Sequence, residues 1–244
     1  MRNILTIFKR EFVSYFSRPI AYAIIVVFIL FAKGMTFTFG SFIASGDASL
    51  NYSFFSFHPW LFMLLAPALG MGMWADEQRN GTIELLGTFP ISPWSIIFGK
   101  YLAAVSVWFI TLVLTFPIVI AVNWLGHPDN GIILSGYIGS FLTCCTFLAI
   151  TMFFSACTRD QVVCLIVSVL VCFVMVICGF DGFTLQVSRI LGREAVESIA
   201  SIGVIDHFSA LTSGAFRLQD LVWFLSIIGG SLLGTSAILT AKRA

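Results

Sequence analysis

Few residues in this chain are equipped for chemistry, and their spacing excludes most of it. The densest polar stretch lies within Trp74 to Lys100, where Asp76-Glu77-Gln78-Arg79-Asn80-Gly81 is followed by Thr82-Ile83-Glu84-Leu85-Leu86 and then Phe89-Pro90-Ile91-Ser92-Pro93. A loop that cradles phosphate needs Gly-x-x-x-x-Gly-Lys-Ser/Thr, because its backbone N–H groups must close on the anion. Gly99-Lys100 is followed by Tyr101 and has no such upstream glycine, so the chain cannot hold and hydrolyse ATP in that manner. Any energy has to arrive from a partner.

The other reactive types are scattered. His58, His127 and His207 stand one per outer connection, and no His-Glu-x-x-His pair puts two ligands on one helix face. They are expected to be interfacial or hydrogen-bonding histidines, and no metal site is assigned. Cys144, Cys145, Cys164, Cys172 and Cys178 have the size and weak polarity to fill helix contacts, while none of the six cysteines sits where an oxidising compartment would pair it. Nucleophilic catalysis within the bilayer would need a serine with a base, or paired carboxylates, and the apolar runs hold no Asp or Glu away from their ends. The lone charge inside a run is Lys33, a candidate functional intramembrane cation that is also placed to snorkel. No catalytic residue is assigned, and no cofactor is expected in this chain.

The elements that carry these residues follow from composition. Of 244 residues, 59% are hydrophobic and 10% charged, too apolar for a water-soluble surface. A bilayer core needs about 20 apolar residues per helix, since hydrocarbon offers backbone groups no partner. Six runs meet that length: Pro19 to Phe42, Pro59 to Ala75, Tyr101 to Leu125, Gly131 to Ala156, Val162 to Gly179 and Leu221 to Ala241. They are continuously apolar, unlike the alternating strands of an outer-membrane barrel. The first is too long to be a cleaved signal peptide. Lys and Arg near the span ends place Arg2, Lys9, Arg10, Arg18, Arg79, Lys100, Arg159, Lys242 and Arg243 inside, with both termini cytoplasmic. The net charge of +1 and the dispersed basic residues provide no footprint for nucleic acid.

Ahead of the first span, Ile4, Leu5, Phe8, Phe12, Tyr15 and Phe16 share one arc of a helical wheel, which predicts a helix over residues 1–18 lying in the interface until Arg18-Pro19 breaks it. In the 76–100 connection, Thr82 to Leu86 is long enough for about one helical turn. Ser92 as N-cap with Pro93 at the first position starts the third helix before the membrane. Between the fourth and fifth spans Cys157-Thr158-Arg159-Asp160-Gln161 is a tight turn whose two charges pair or stay solvated. Residues 180–220 are too apolar for a free loop and too broken by glycine for a span, and are expected to form short amphipathic or re-entrant helices at the outer face. The whole is an all-α, polytopic membrane protein of one transmembrane domain, 1–244.

This order of elements, together with Glu77-x-Arg79-x-Gly81-Thr82-Ile83-Glu84-Leu85-Leu86, Pro90-Ile91-Ser92 and Gly99-Lys100, resembles a type-2 ABC transporter permease. The resemblance implies that Gly81, Thr82, Ile83, Glu84, Leu85 and Leu86 form a cytoplasmic coupling helix that docks on a separate ABC ATPase, which binds the ATP and Mg. It makes Ile4 to Phe16, with Phe8, Phe12 and Phe16, the connecting helix. Asp206-His207-Phe208, Gly214 and Leu218-Gln219-Asp220-Leu221-Val222-Trp223-Phe224 are similar to the segment before the last span in permeases of gliding-motility and nitrous-oxide-reductase-maturation systems, with Gln219 in place of a frequent basic residue. Expected partners are therefore an ABC ATPase, a second permease copy or a homologous one, the lipid bilayer of a bacterial cytoplasmic (inner) membrane, and an extracytoplasmic accessory protein. The sparse fixed charge in the spans points to an apolar or amphipathic substrate. The alternative is a mechanotransmission scaffold that drives an outer partner without transport.

Overall fold

The computed structural model describes residues 2–40, 49–82, 92–126, 128–180, 182–186 and 200–242. The labelled helices are α1 (Arg2–Ser17), α2 (Pro19–Thr38), α3 (His58–Gly70), α4 (Gly72–Arg79), α5 (Pro93–Leu114), α6 (Pro117–Leu125), α7 (Asn130–Cys157), α8 (Gln161–Cys178), α9 (Val204–Thr212) and α10 (Leu218–Ala241). Six candidate spans result, because α3 with α4, and α5 with α6, each run on as one long helix, Phe55–Arg79 and Pro93–Leu125. Among the described residues there is no strand.

Local chemistry sets the helix ends. Arg18 is extended (φ −109°, ψ 145°) and Pro19 opens α2, since the residue before proline avoids the helical region. Asp129 and Asp160 cap α7 and α8 by accepting from the N–H of Gly131 and Val162, each at 2.8 Å. Asp160 thus spends its carboxylate on a cap, a use that the expectation of a paired or solvated charge did not include. Ser92 does stand ahead of Pro93, but its side chain makes no capping bond, and the proline alone starts α5.

The fourth span, α7, is the hub. It contacts α3, α4, α5, α8, α9 and α10, and 72% of its most apolar stretch is buried, against 28% for the fifth span and 17% for the sixth. Small residues on α7 permit this approach, as interhelical packing in lipid favours. Gly136 receives the Phe55 ring, where a Cβ would lie 2.5 Å from Cε2. Beside it Phe28, Phe62 and Trp108 join the first three spans, Phe28 stacking on Phe62 at 5.1 Å and Trp108 meeting both edge-on.

Lys33, placed inside a longer first span by the sequence, stands five residues before the end of α2 at Thr38, a rise of roughly 7.5 Å. It is half-buried, with no ion pair among the described residues. That depth is within reach of its own stem.

Candidate coupling site

At the end of the bundle that carries α1, side chains from six segments converge. Lys100, in the second turn of α5, is buried and bridges two carboxylates, Glu77 of α4 at 2.8 Å and Glu11 of α1 at 3.5 Å. Its ammonium also lies 5.3 Å from the centre of the Trp74 ring. Burial pushes the Glu11 carboxyl up, but Lys100 and Arg10 together outweigh it and hold the group below its ordinary range. Arg10 adds a contact to Glu11 at 2.5 Å.

Docking of α1 depends on the neighbour of Lys100. Gly99 lets Ile7 lie directly on α5, where a Cβ would be 2.7 Å from Ile7 Cγ2 and 2.9 Å from Ile7 Cβ. The seated face of α1 therefore takes in Ile7 and Glu11, about 100° from the centre of the expected arc at about 100° per residue, while Phe12, Tyr15 and Phe16 of that arc still pack against the core. Leu5, expected on the apolar arc, is exposed, and the buried residue is Ile7. The reason is specific pairing: one glycine notch and one buried cation outweigh the direction of greatest hydrophobicity. Phe8, Phe12 and Phe16 stay half-buried along the rim as a ladder, with ring centres 5.8 and 5.0 Å apart.

A second set of contacts fixes α4 to the hub. The Ser155 hydroxyl of α7 donates to the Met71 carbonyl at 2.8 Å and accepts from the N–H groups of Trp74 and Ala75 at 2.9 and 3.1 Å. It sits against the one-residue interruption at Met71 between α3 and α4. Gln78 donates to the carbonyls of Ser155 and Ala156 at 3.1 and 2.9 Å. Lys242, just past α10, donates to Gln78 Oε1 at 2.6 Å and to Ala156 O at 2.8 Å, so the last span is tied to the same point. Asp76 accepts from Gln161 of α8 and from Arg18 at 3.3 Å.

Of the residues expected to couple, Gly81 and Thr82 are described. Gly81 ends α4 with φ +69°, a conformation that favours glycine, and Thr82 Oγ1 donates to the Glu77 carbonyl at 3.3 Å. Both are exposed. Ile83, Glu84, Leu85 and Leu86 lie outside the described residues.

At the opposite end, His207 of α9 is buried with Nδ1 2.6 Å from Asp220 of α10 and Nε2 donating to the Ser201 carbonyl at 3.1 Å, while Trp223 stacks on its ring at 4.4 Å. Phe208 is buried and packs beside Leu211 over Gly139 of α7, and the exposed Asp206 sits in the first turn of α9. His58 is fully buried, with Nδ1 2.7 Å from Ser140 Oγ. His127 lies outside the described residues. Sequence reasoning missed Ser155, Gln78, Gln161 and Lys242 as a set. No spacing signal could have found them, since they stand 77 or more positions apart from their partners.

A bundle of long apolar helices whose polar contacts gather at its two ends defines a polytopic membrane protein. The chain belongs to the family described as ABC-2 family transporter protein, whose sequence profile matches residues 5–240. It is thus a membrane subunit of an ABC transporter, a type of chain that generally lacks its own ATPase site, and membership implies an ABC ATPase partner. Among curated proteins none matches it. The gliding-motility and nitrous-oxide-reductase subgroup has no support beyond the resemblance of residues 206–224.

Proposed function

We propose that this chain pairs with a second copy, or a similar permease, in the cytoplasmic membrane of a bacterium and couples a partner's ATP hydrolysis to movement of an apolar or amphipathic substrate. In this reading the α1 end faces the cytoplasm, and both termini with it. ATP and Mg belong to the partner. The observation that carries the reading is the Lys100 junction, which joins α1, the end of the second span and the start of the third at one buried cation. A push delivered to residues 81–86 would pass through α4 into both flanking spans and α1, a hinge-type transmission. The Ser155 contacts at Met71 to Ala75 mark where the second span would flex.

The test replaces Glu84 and Leu85 with Ala. ATPase association and transport-coupled hydrolysis should both fall, and survival of both unchanged overturns the docking assignment.

A second reading is favoured by one observation: α9 is fastened to the hub span through the Ser135 hydroxyl, which donates to the Leu211 carbonyl, and to α10 through His207. Such an outer element would move with the bundle and could drive an extracytoplasmic partner with no solute crossing. Co-purification of that partner, with no substrate flux in reconstituted vesicles, would select it.

A further inference from the structure

Between α1 and the first two spans lies a cavity of about 550 Å³ that has the Lys100 junction as one wall. Its walls differ in character from one part to the next. Ile20, Ala68 and Leu69 line one part with hydrocarbon, whereas Arg18, Asp76 and Glu77 bring both signs of charge to another. Arg10, Arg18 and Lys100 stand against Glu11, Asp76 and Glu77 along the lining, so the charges balance. A purely anionic guest would meet as many carboxylates as cations. A zwitterion could satisfy both sets.

Two polar groups here remain under-used. The Arg18 side chain is 64% exposed and holds Asp76 only at 3.3 Å, leaving most of its guanidinium donors unengaged. Glu77 gives one oxygen to Lys100, while its Oε2 is buried with no hydrogen-bond partner among the described residues. That oxygen is closed to the cavity, whereas the neighbouring Asp76 carboxylate is 25% exposed and keeps acceptor capacity beyond Arg18 and Gln161.

We infer that this cavity binds an aminophospholipid, with its phosphodiester on Arg18, its primary ammonium on Asp76, and its acyl chains along Ile20, Ala68 and Leu69. The inference rests on the permease reading only for placing this end of the bundle at a membrane surface. The ammonium supplies charged N–H donors to the Asp76 carboxylate, and the phosphodiester suits the fork of an arginine. A choline headgroup carries the same charge but no N–H. A glycerol headgroup carries no cation.

The test uses the full chain purified in mild detergent and incubated separately with phosphatidylethanolamine, phosphatidylcholine and phosphatidylglycerol of identical acyl chains, and with water-soluble glycerophosphoethanolamine. Bound molecules per protomer are counted by native mass spectrometry. Phosphatidylethanolamine should be retained about tenfold over the other two lipids, the worth of one charge-assisted hydrogen bond, and glycerophosphoethanolamine should not be retained. Arg18→Gln and Asp76→Asn should each remove the preference, and Arg18→Lys, which keeps the charge, should preserve part of it with an unchanged melting profile. Equal retention of the three lipids, an unchanged preference in Arg18→Gln and Asp76→Asn, or equal binding of the water-soluble headgroup overturns the assignment. Recovery of the ATPase with the same preparation reports separately on the permease reading.

Discussion

Lys100 is the residue on which most depends. It is 4% exposed and is the only cation within reach of Glu77 among the described residues. Lys100→Met should leave Glu77 buried without a counter-charge beside Glu11, which keeps only Arg10, lowering stability by about 2–4 kcal/mol and the melting temperature in detergent. Removing the carboxylates as well, with Glu11→Gln and Glu77→Gln, should restore most of the loss, because a neutral junction leaves no charge uncompensated. Glu11 adds a pH dependence. Its folded-state value is depressed below the ordinary 4.5, so its contribution is complete above 4.5 and is lost as pH falls from there through the lower folded-state value. Exchange protection of the α1 amides, corrected for intrinsic rate, should therefore hold at neutral pH and fall on acidification, and Glu11→Gln should remove the dependence.

Among elements, the seating of α1 on α5 is decided at Gly99. Gly99→Ala should force Ile7 away, weakening the contact by about 1–3 kcal/mol as overpacking does. Pairing it with Ile7→Ala should recover much of that loss, and a double-mutant cycle measured by thermal melting would give the coupling. Additive effects would mean that the helix is held elsewhere. The amphipathic pattern of residues 4–16 was legible as a helix, and the structure forms it as Arg2–Ser17. Its docked face was legible only in part: Phe12, Tyr15 and Phe16 pack against the core, but hydrophobic direction cannot register the notch on another helix that brings in Ile7. The same limit applies to Asp160, where composition permitted a pair and the backbone took a cap.

For the whole molecule, the outer surfaces of the fifth and sixth spans remain largely uncovered within one chain. A subunit of six spans has no second half to enclose a pathway, and two-fold pairing is the common way to supply one. Mass measurement of the intact complex in nanodiscs should find two permease chains with two ATPases. A complex with a single permease chain would remove the two-copy arrangement.

Sequence by itself determined the class, because hydrocarbon admits only helices and closed barrels, continuously apolar runs select the helix, and the length of each run then counts the spans. It also determined that no phosphate loop exists here, since that chemistry needs contiguous residues. The tertiary structure alone decided which polar groups meet. Lys100 with Glu11, Ser155 with the backbone at Met71 to Ala75, and Lys242 with Gln78 join positions as much as 164 residues apart. Such partners are chosen by how helices pack, where a glycine notch or an unpaired carboxylate in a nearly dry interface outweighs any local preference of the chain.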